Sequence, residues 1–248
     1  MKIREASAVE ELKKYGADLF VVAAFGQILS KEVLGIPKYG CINVHASLLP
    51  KYRGAAPIQW AIINGDDVTG VTIMKMNEGI DTGDMIMQQQ VVIDPGETGG
   101  SLFDKLMNVG ASLCVEAIGD IRNGTAVYTP QPDAQFSYAK MLTKDAGRID
   151  WSRNSDEIER LVRALDPWPS AFTSFDGKTL KIWAADSYGS TERGIEPGTI
   201  IEVEKEAVIV SCGKGKLSIS EIQLEGKRRM TVREFLPGYK VEAGMKLG

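Results

Sequence analysis

The run DLFVVAAF, residues 18–25, carries one charge at its start and no polar alternation after it. A half-exposed strand alternates apolar and polar side chains, so a continuous run reads as a strand covered on both faces, as in a parallel sheet flanked by helices. Its flanks agree. AVEELKKYG (8–16) has helical spacing and stops at Gly16, and SKEVLGIP gives a short helix with Ser30 as its N-cap. Further on, GCINVHA (40–46) reads as a strand and APIQWAIIN (56–64) as a helix ending at Gly65. VTGVTIMKMN (68–77) and DMIMQQQVVI (84–93) read as strands, the second partly exposed. A long helix opening at Thr98 or Ser101 runs to Asn123 and is closed by Gly124. This order predicts an α/β unit over residues 1–128, a partial doubly wound (Rossmann-like) and mostly parallel sheet.

The pattern changes at Thr129. TPQPDAQFSYAKMLTKDAGRIDW is polar and lacks clean periodicity, so 129–150 is expected to be a linker. One amphipathic helix over 155–166 stops before Pro167. Short β-like runs with turn signals then predict a small antiparallel, OB-like β-barrel as a C-terminal domain over 151–248. Trp168, between prolines, reads as a packing anchor.

Neither GxGxxG nor GxxxxGK[ST] occurs, and GKGK (213–216) sits between β-like runs as a hairpin tip rather than a phosphate loop. Three widely spaced cysteines, Cys41, Cys114 and Cys212, fit neither a disulfide framework nor a zinc ribbon, and with a single histidine no transition-metal site is expected. The polar N-terminus has no apolar signal core and no window is long enough to span a membrane, so a cytoplasmic setting without membrane contact is expected. Net charge is −4, yet residues 214–248 hold eight basic against four acidic side chains. A polyanion contact, if the chain makes one, belongs at that end.

The single histidine, His45, lies at the end of the 40–46 strand, two residues after Asn43 and on the same face. An amide that donates to a developing oxyanion beside an imidazole that moves a proton is a plausible acyl-transfer pair, once a carboxylate steadies the ring. NEGIDTGDM (77–85) supplies Asp81 between two glycines, with Glu78 and Asp84 as alternatives by chemistry alone. It follows the third strand and is expected to emerge at the same edge of the sheet as His45. Ser47 is a candidate nucleophile, but G-x-S-x-G is absent. A capped structural histidine is the competing reading.

CINVHASLLPKYRGAAPIQWAIINGDDVTGVTIMKMNEGIDTGDMI resembles the signature of the folate-dependent formyltransferases, most closely of those acting on methionyl-tRNA. The resemblance continues through VVAAFGQILSKEVLGIPKYG, TPQPDAQFSYAKMLTKDAGRIDW and RALDPWPSAFT, nearly the whole chain. It implies that Asn43, His45 and Asp81 form the catalytic triad. It places the donor, 10-formyltetrahydrofolate, beside Phe25, Gly26, Gln27, Ile28 and Leu29 and the Asp81 loop with Gly79 and Ile80. Ser47, Leu48, Leu49 and Pro50 would line the site, with the Leu49–Pro50 bond cis. The implied acceptor is the α-amine of initiator methionyl-tRNA, with no metal and a monomeric chain. Rival expectations are transfer to a small amine, such as a nucleotide-linked amino sugar or glycinamide ribonucleotide, and a remnant that binds tRNA or folate without turnover. Family members carry a further N-terminal segment with the first strands, so strand 18–25 is expected to show an unpaired edge and uncovered apolar surface. For tRNA, Lys51 and Arg53 stand at the mouth of the site, and Lys214, Lys216, Lys227, Arg228 and Arg229 are expected to form one basic patch on the barrel.

Overall fold

The computed structural model describes Ile3, residues 5–190 and residues 194–248. The chain falls into two compact units. The first holds the residues up to Ala61 with Asp66–Asp94 and Ser101–Met141; the second holds Ile62–Gly65, Pro95–Gly100 and Leu142–Gly248.

In chain order the first part runs α1 (Ala6–Lys14), β1 (Phe20–Ala23), α2 (Lys31–Leu34), β2 (Cys41–His45), β3 (Arg53–Gly54), α3 (Pro57–Ile63), β4 (Val68–Lys75), β5 (Met85–Val92), α4 (Gly99–Asn123) and β6 (Tyr138–Ala139). Local signals account for most of these bounds. Ser30 accepts a hydrogen bond from the Val33 amide as the cap of α2. Gly65 and Gly124, just past α3 and α4, both take left-handed φ values. The main sheet has the order β1-β2-β4-β5, and a separate parallel pair joins β3 to β6. α4 lies close against the sheet at Gly110, where an added Cβ would come within 2.9 Å of Val44.

Two sheet expectations need correction. The sheet is mixed, not mostly parallel: β1 pairs parallel with β2, but β4 runs antiparallel to both β2 and β5. And β1 is not covered on both faces. It is an edge strand with uncovered apolar surface, as the resemblance implied; its burial alternates, and Val21 is 47% exposed. An edge strand has a neighbour on one side only, and among the described residues its outward side chains lack the covering layer that a continuous apolar run suggested.

Residues 129–150, expected as a linker, are irregular but well bonded. Thr129 exchanges both backbone hydrogen bonds with Met85, β6 pairs with β3, and the Trp60 indole donates to the Lys140 carbonyl. The division between the two units falls between Met141 and Leu142.

The second unit contains α5 (Ser155–Ala164), β7 (Ala171–Phe175), β8 (Lys178–Tyr188), β9 (Ile200–Val203), β10 (Val208–Ser211), β11 (Lys216–Leu224), β12 (Met230–Thr231) and α6 (Val232–Phe235). A capping box between Asn154 and Glu157 opens α5. The sheet is antiparallel in the order β7-β8-β11-β10-β9, with β12 on β11. The last residues bridge its two ends. Met245 and Leu247 bond to Ile200 and Gly198 beside β9, while the Gly248 amide donates to Ser174 of β7. This tail carries the hydrogen-bonding around, which gives the unit its barrel character. Leu247 joins Ile182, Val210, Leu217 and Ile219 in the core.

Candidate active site

Strand β2 sets the site. Asn43 and His45 share one of its faces, and His45 stands at its carboxyl end. Because β1 is parallel to β2 with Ala23 opposite Val44, the segment after β1, residues 24–29, emerges at that same end. The Asp81 loop arrives differently. β4 runs against β2 and brings Lys75 opposite Ile42, so the loop leaves beside the start of β2, not beside His45 as expected. It then folds back. Asp81 takes φ +52, and Gly83 passes so close to β4 that an added Cβ would overlap the Lys75 carbonyl at 1.7 Å.

The return brings three side chains together. Asn43 Nδ2 donates to Asp81 Oδ1 at 3.3 Å. The Gly54 amide donates to Asp81 Oδ2 at 2.8 Å, and the same oxygen lies 3.7 Å from His45 Nδ1. His45 Nε2 is 2.9 Å from the Tyr52 carbonyl, which can only accept, so Nε2 carries the hydrogen of the neutral ring. The nitrogen facing the carboxylate is then Nδ1, free to take a proton and, once charged, paired with Asp81. His45 and Asp81 are both largely buried, which keeps that interaction from being screened.

Several supports were not legible in the sequence. Thr72, opposite His45 on β4, donates to the Ser47 carbonyl and accepts from the Leu49 amide. Gln88 of β5 donates to both the Leu49 carbonyl and Thr72. Gln131 donates to the carbonyls of Asp81 and Gly83. These are single polar residues on strands and loops far apart in the chain, and no local pattern marks them.

The remaining expected residues separate into groups. Phe25, Gly26, Gln27 and Ile28 are exposed after β1, with Ile28 at 67%, and Ile80 and Gly79 are exposed in the Asp81 loop. Leu29 is instead buried in a core cluster with Val9, Val33 and Cys41. Ser47 is fully buried and its hydroxyl donates to the Lys51 carbonyl, so it is a loop staple and no nucleophile. Leu49 is buried beside partly exposed Leu48 and Pro50, and the Leu49–Pro50 bond is cis. Glu78 is exposed and Asp84 gives its backbone carbonyl to Lys75 of β4; neither makes a side-chain contact with His45. Trp168, read as a packing anchor, is 56% exposed.

The basic residues need the largest revision. Arg53 is 4% exposed, donates from Nε to Gln131 and stacks on Phe136, so it is part of the frame and no surface cation. Lys51 is tied to Asp66 at 2.7 Å. Arg229 lies between Glu221 and Asp166 and over Trp183, and Arg228 is paired with Glu234. Nor do the barrel residues form one patch. Lys214 lies just before the nine-residue β11, Lys216 opens it and Lys227 follows it; at ~3.3 Å per residue the two ends are about 26 Å apart. Among the described residues no three metal-ligating side chains gather, and no helix is long and apolar enough to cross a membrane.

An amide and an imidazole on one strand, met by a loop carboxylate in an α/β unit that a β-barrel unit follows, are a set of groups suited to acyl transfer, and comparison supplies the family. The chain belongs to the formyl transferase family: residues 2–118 match the formyl transferase profile and residues 141–240 that family's C-terminal domain. It is 56% identical to the methionyl-tRNA formyltransferase of Agathobacter rectalis over 244 residues, which are 98% of this chain and 78% of that protein. Among solved structures, HypX from Aquifex aeolicus in complex with tetrahydrofolic acid shares the fold at 20% identity, with a TM-score of 0.69 over 96% of this chain and 44% of its own. The N-formyltransferase from Helicobacter canadensis, solved with folinic acid and dTDP-3-aminofucose, is 25% identical with a TM-score of 0.61, over 79% of this chain and 71% of its own.

Proposed function

We propose that this chain transfers the formyl group of 10-formyltetrahydrofolate to the α-amine of methionyl-initiator tRNA. The observation that carries the reading is the His45 ring, fixed through Nε2 on the Tyr52 carbonyl with Nδ1 turned to an Asp81 carboxylate that also holds Asn43. The folate supplies the formyl carbon and a nitrogen leaving group. Asn43 Nδ2 has a second hydrogen beyond the one given to Asp81, and that hydrogen can donate to an oxygen gaining negative charge. His45 Nδ1 takes the proton released by the attacking amine and returns it to the departing nitrogen. Asp81 stabilises the ring while it is charged. The Gly54 amide keeps the carboxylate aimed.

The exposed apolar side chains of Phe25 and Ile28, on the segment after β1, and of Ile80, next to Asp81, suit the flat rings of a folate. Leu29, Ser47 and Leu49 are buried, so any part they have in the pocket is to shape the backbone behind it. For the tRNA, Lys214, Lys216 and Lys227 remain as phosphate contacts, since Arg53 and Arg229 are engaged elsewhere in the fold. We take the reaction to run in the cytoplasm on a monomer. A single-turnover assay with labelled formyl donor and charged initiator tRNA tests the reading. Label on the tRNA is the expected result. Label only on a small amine, or tRNA binding with no transfer, overturns it in favour of the respective rival.

A further inference from the structure

We infer that Gln131, clamped by Arg53, is the positioning residue that holds the Asp81 loop in its folded-back, proton-relay geometry. This rests on the formyl-transfer reading for its kinetic consequence, but the contact network stands independently. The side-chain amide of Gln131 spends both hydrogens on the loop, donating to the Asp81 carbonyl at 2.8 Å and to the Gly83 carbonyl at 2.7 Å. Its oxygen accepts from Arg53 Nε at 2.8 Å. Arg53 and Gly54 together make up β3, and Gly54 is the residue whose amide holds the Asp81 carboxylate. One two-residue strand therefore controls the aspartate twice, at its side chain directly and at its backbone through Gln131.

The loop needs such a clamp. Asp81 sits in the left-handed region, which few non-glycine residues other than Asn and Asp adopt, and Oδ2 reaches His45 Nδ1 only at 3.7 Å. A small rotation of the loop would break the alignment with both His45 and Asn43. Gln131 is 9% exposed and Arg53 4%, so water does not readily take over their hydrogen bonds. Arg53 is also fixed from its far side by the Phe136 ring, 5.1 Å from the guanidinium carbon. β6 completes the frame by pairing Tyr138 with Arg53 and Ala139 with Gly54.

Gln131→Glu tests this, because it keeps the shape and the Arg53 partner while replacing two donors by acceptors that face carbonyl oxygens. At neutral pH kcat should fall roughly tenfold to a hundredfold, the scale of a small misplacement of catalytic groups, with KM for the donor little changed. The ratio to wild type should recover as pH is lowered, since the protonated new carboxyl can donate again to one loop carbonyl. His45 is the only imidazole in the chain, so its 15N signals need no assignment. In Gln131→Glu they should move toward those of Asp81→Asn. A variant that loses thermal stability while its kcat ratio stays flat with pH and its imidazole signals stay at wild-type positions would show Gln131 to be packing only, and overturn the inference. If wild type shows no formyl transfer, the function reading fails and the 15N comparison still decides this one. Should Gln131→Glu not fold, Gln131→Met removes the donors without adding charge and is judged by the same imidazole signals.

Discussion

At the scale of single residues, the decisive fact is which nitrogen of His45 is free. A carbonyl acceptor on Nε2 settles the tautomer and leaves Nδ1 as the nitrogen that the proposed mechanism uses. Asn43→Ala should lower kcat by roughly 10²–10³, the cost of losing one oxyanion donor, with little change in folate binding by fluorescence titration. Asp81→Asn should also lower kcat and abolish its recovery at any pH, because an amide cannot pair with a charged ring; a pH–rate series checks this. The cysteines give a prediction away from the site. Burial pushes the Cys41 thiol up to about 11 and the Cys212 thiol up to about 12. Both should resist iodoacetamide at pH 8 in the folded protein and react on unfolding, because the thiolate is the reactive form. The sign for stability follows. Below pH 9, the usual thiol value, both states hold the proton and pH has no effect through these groups. Above it the unfolded chain ionises first, so stability should fall as pH rises toward 12, measured by urea denaturation at stepped pH.

At the scale of elements, short pieces far apart in the chain do most of the positioning. β3 has two residues, yet it supplies Gly54 to Asp81 and, through Arg53, Gln131. Gly54 takes φ +114, and an added Cβ would sit 2.7 Å from the Ala139 carbonyl. Gly54→Ala should therefore push β3 from β6, cost about 2 kcal/mol or more through strain, and lower kcat beyond what the lost stability explains. Thermal melts run beside activity assays separate the two effects. In the second unit the last residues act as a closing strand. Leu247→Ala should destabilise by about 2–4 kcal/mol, typical of a buried leucine, read from a denaturant midpoint. Turn and cap positions at this scale were legible: Ser30 at α2, Gly65 after α3 and Gly124 after α4 sit where the pattern put them. Strand direction was not, because VTGVTIMK is equally apolar whichever way it runs.

At the scale of the whole molecule, charge is distributed so that only part of the late basic excess is available to a polyanion. Arg228 and Arg229 are paired with carboxylates, whereas Lys214 and Lys227 are exposed at opposite ends of β11. Lys227→Ala should weaken tRNA binding and reduce the slope of log affinity against log salt by about one. Arg229→Ala should change that slope less and lower the melting temperature more, since it leaves Glu221 and Asp166 without their shared partner. Filter binding at several salt concentrations, with melts of the same variants, checks both.

By itself the sequence determined what short-range energetics encode: helix periods, capping residues, glycine stops, the α/β-then-β order, and the run that places Asn43 and His45 on one strand face. Tertiary structure alone decided the antiparallel course of β4, the folded-back path of the Asp81 loop, the burial of Arg53 against Gln131, and the closure of the barrel by its last residues. The reason is physical. Period and capping depend on neighbours a few positions away, while strand direction and the pairing of lone polar groups depend on contacts between distant segments, whose energies have no signature in either segment read separately.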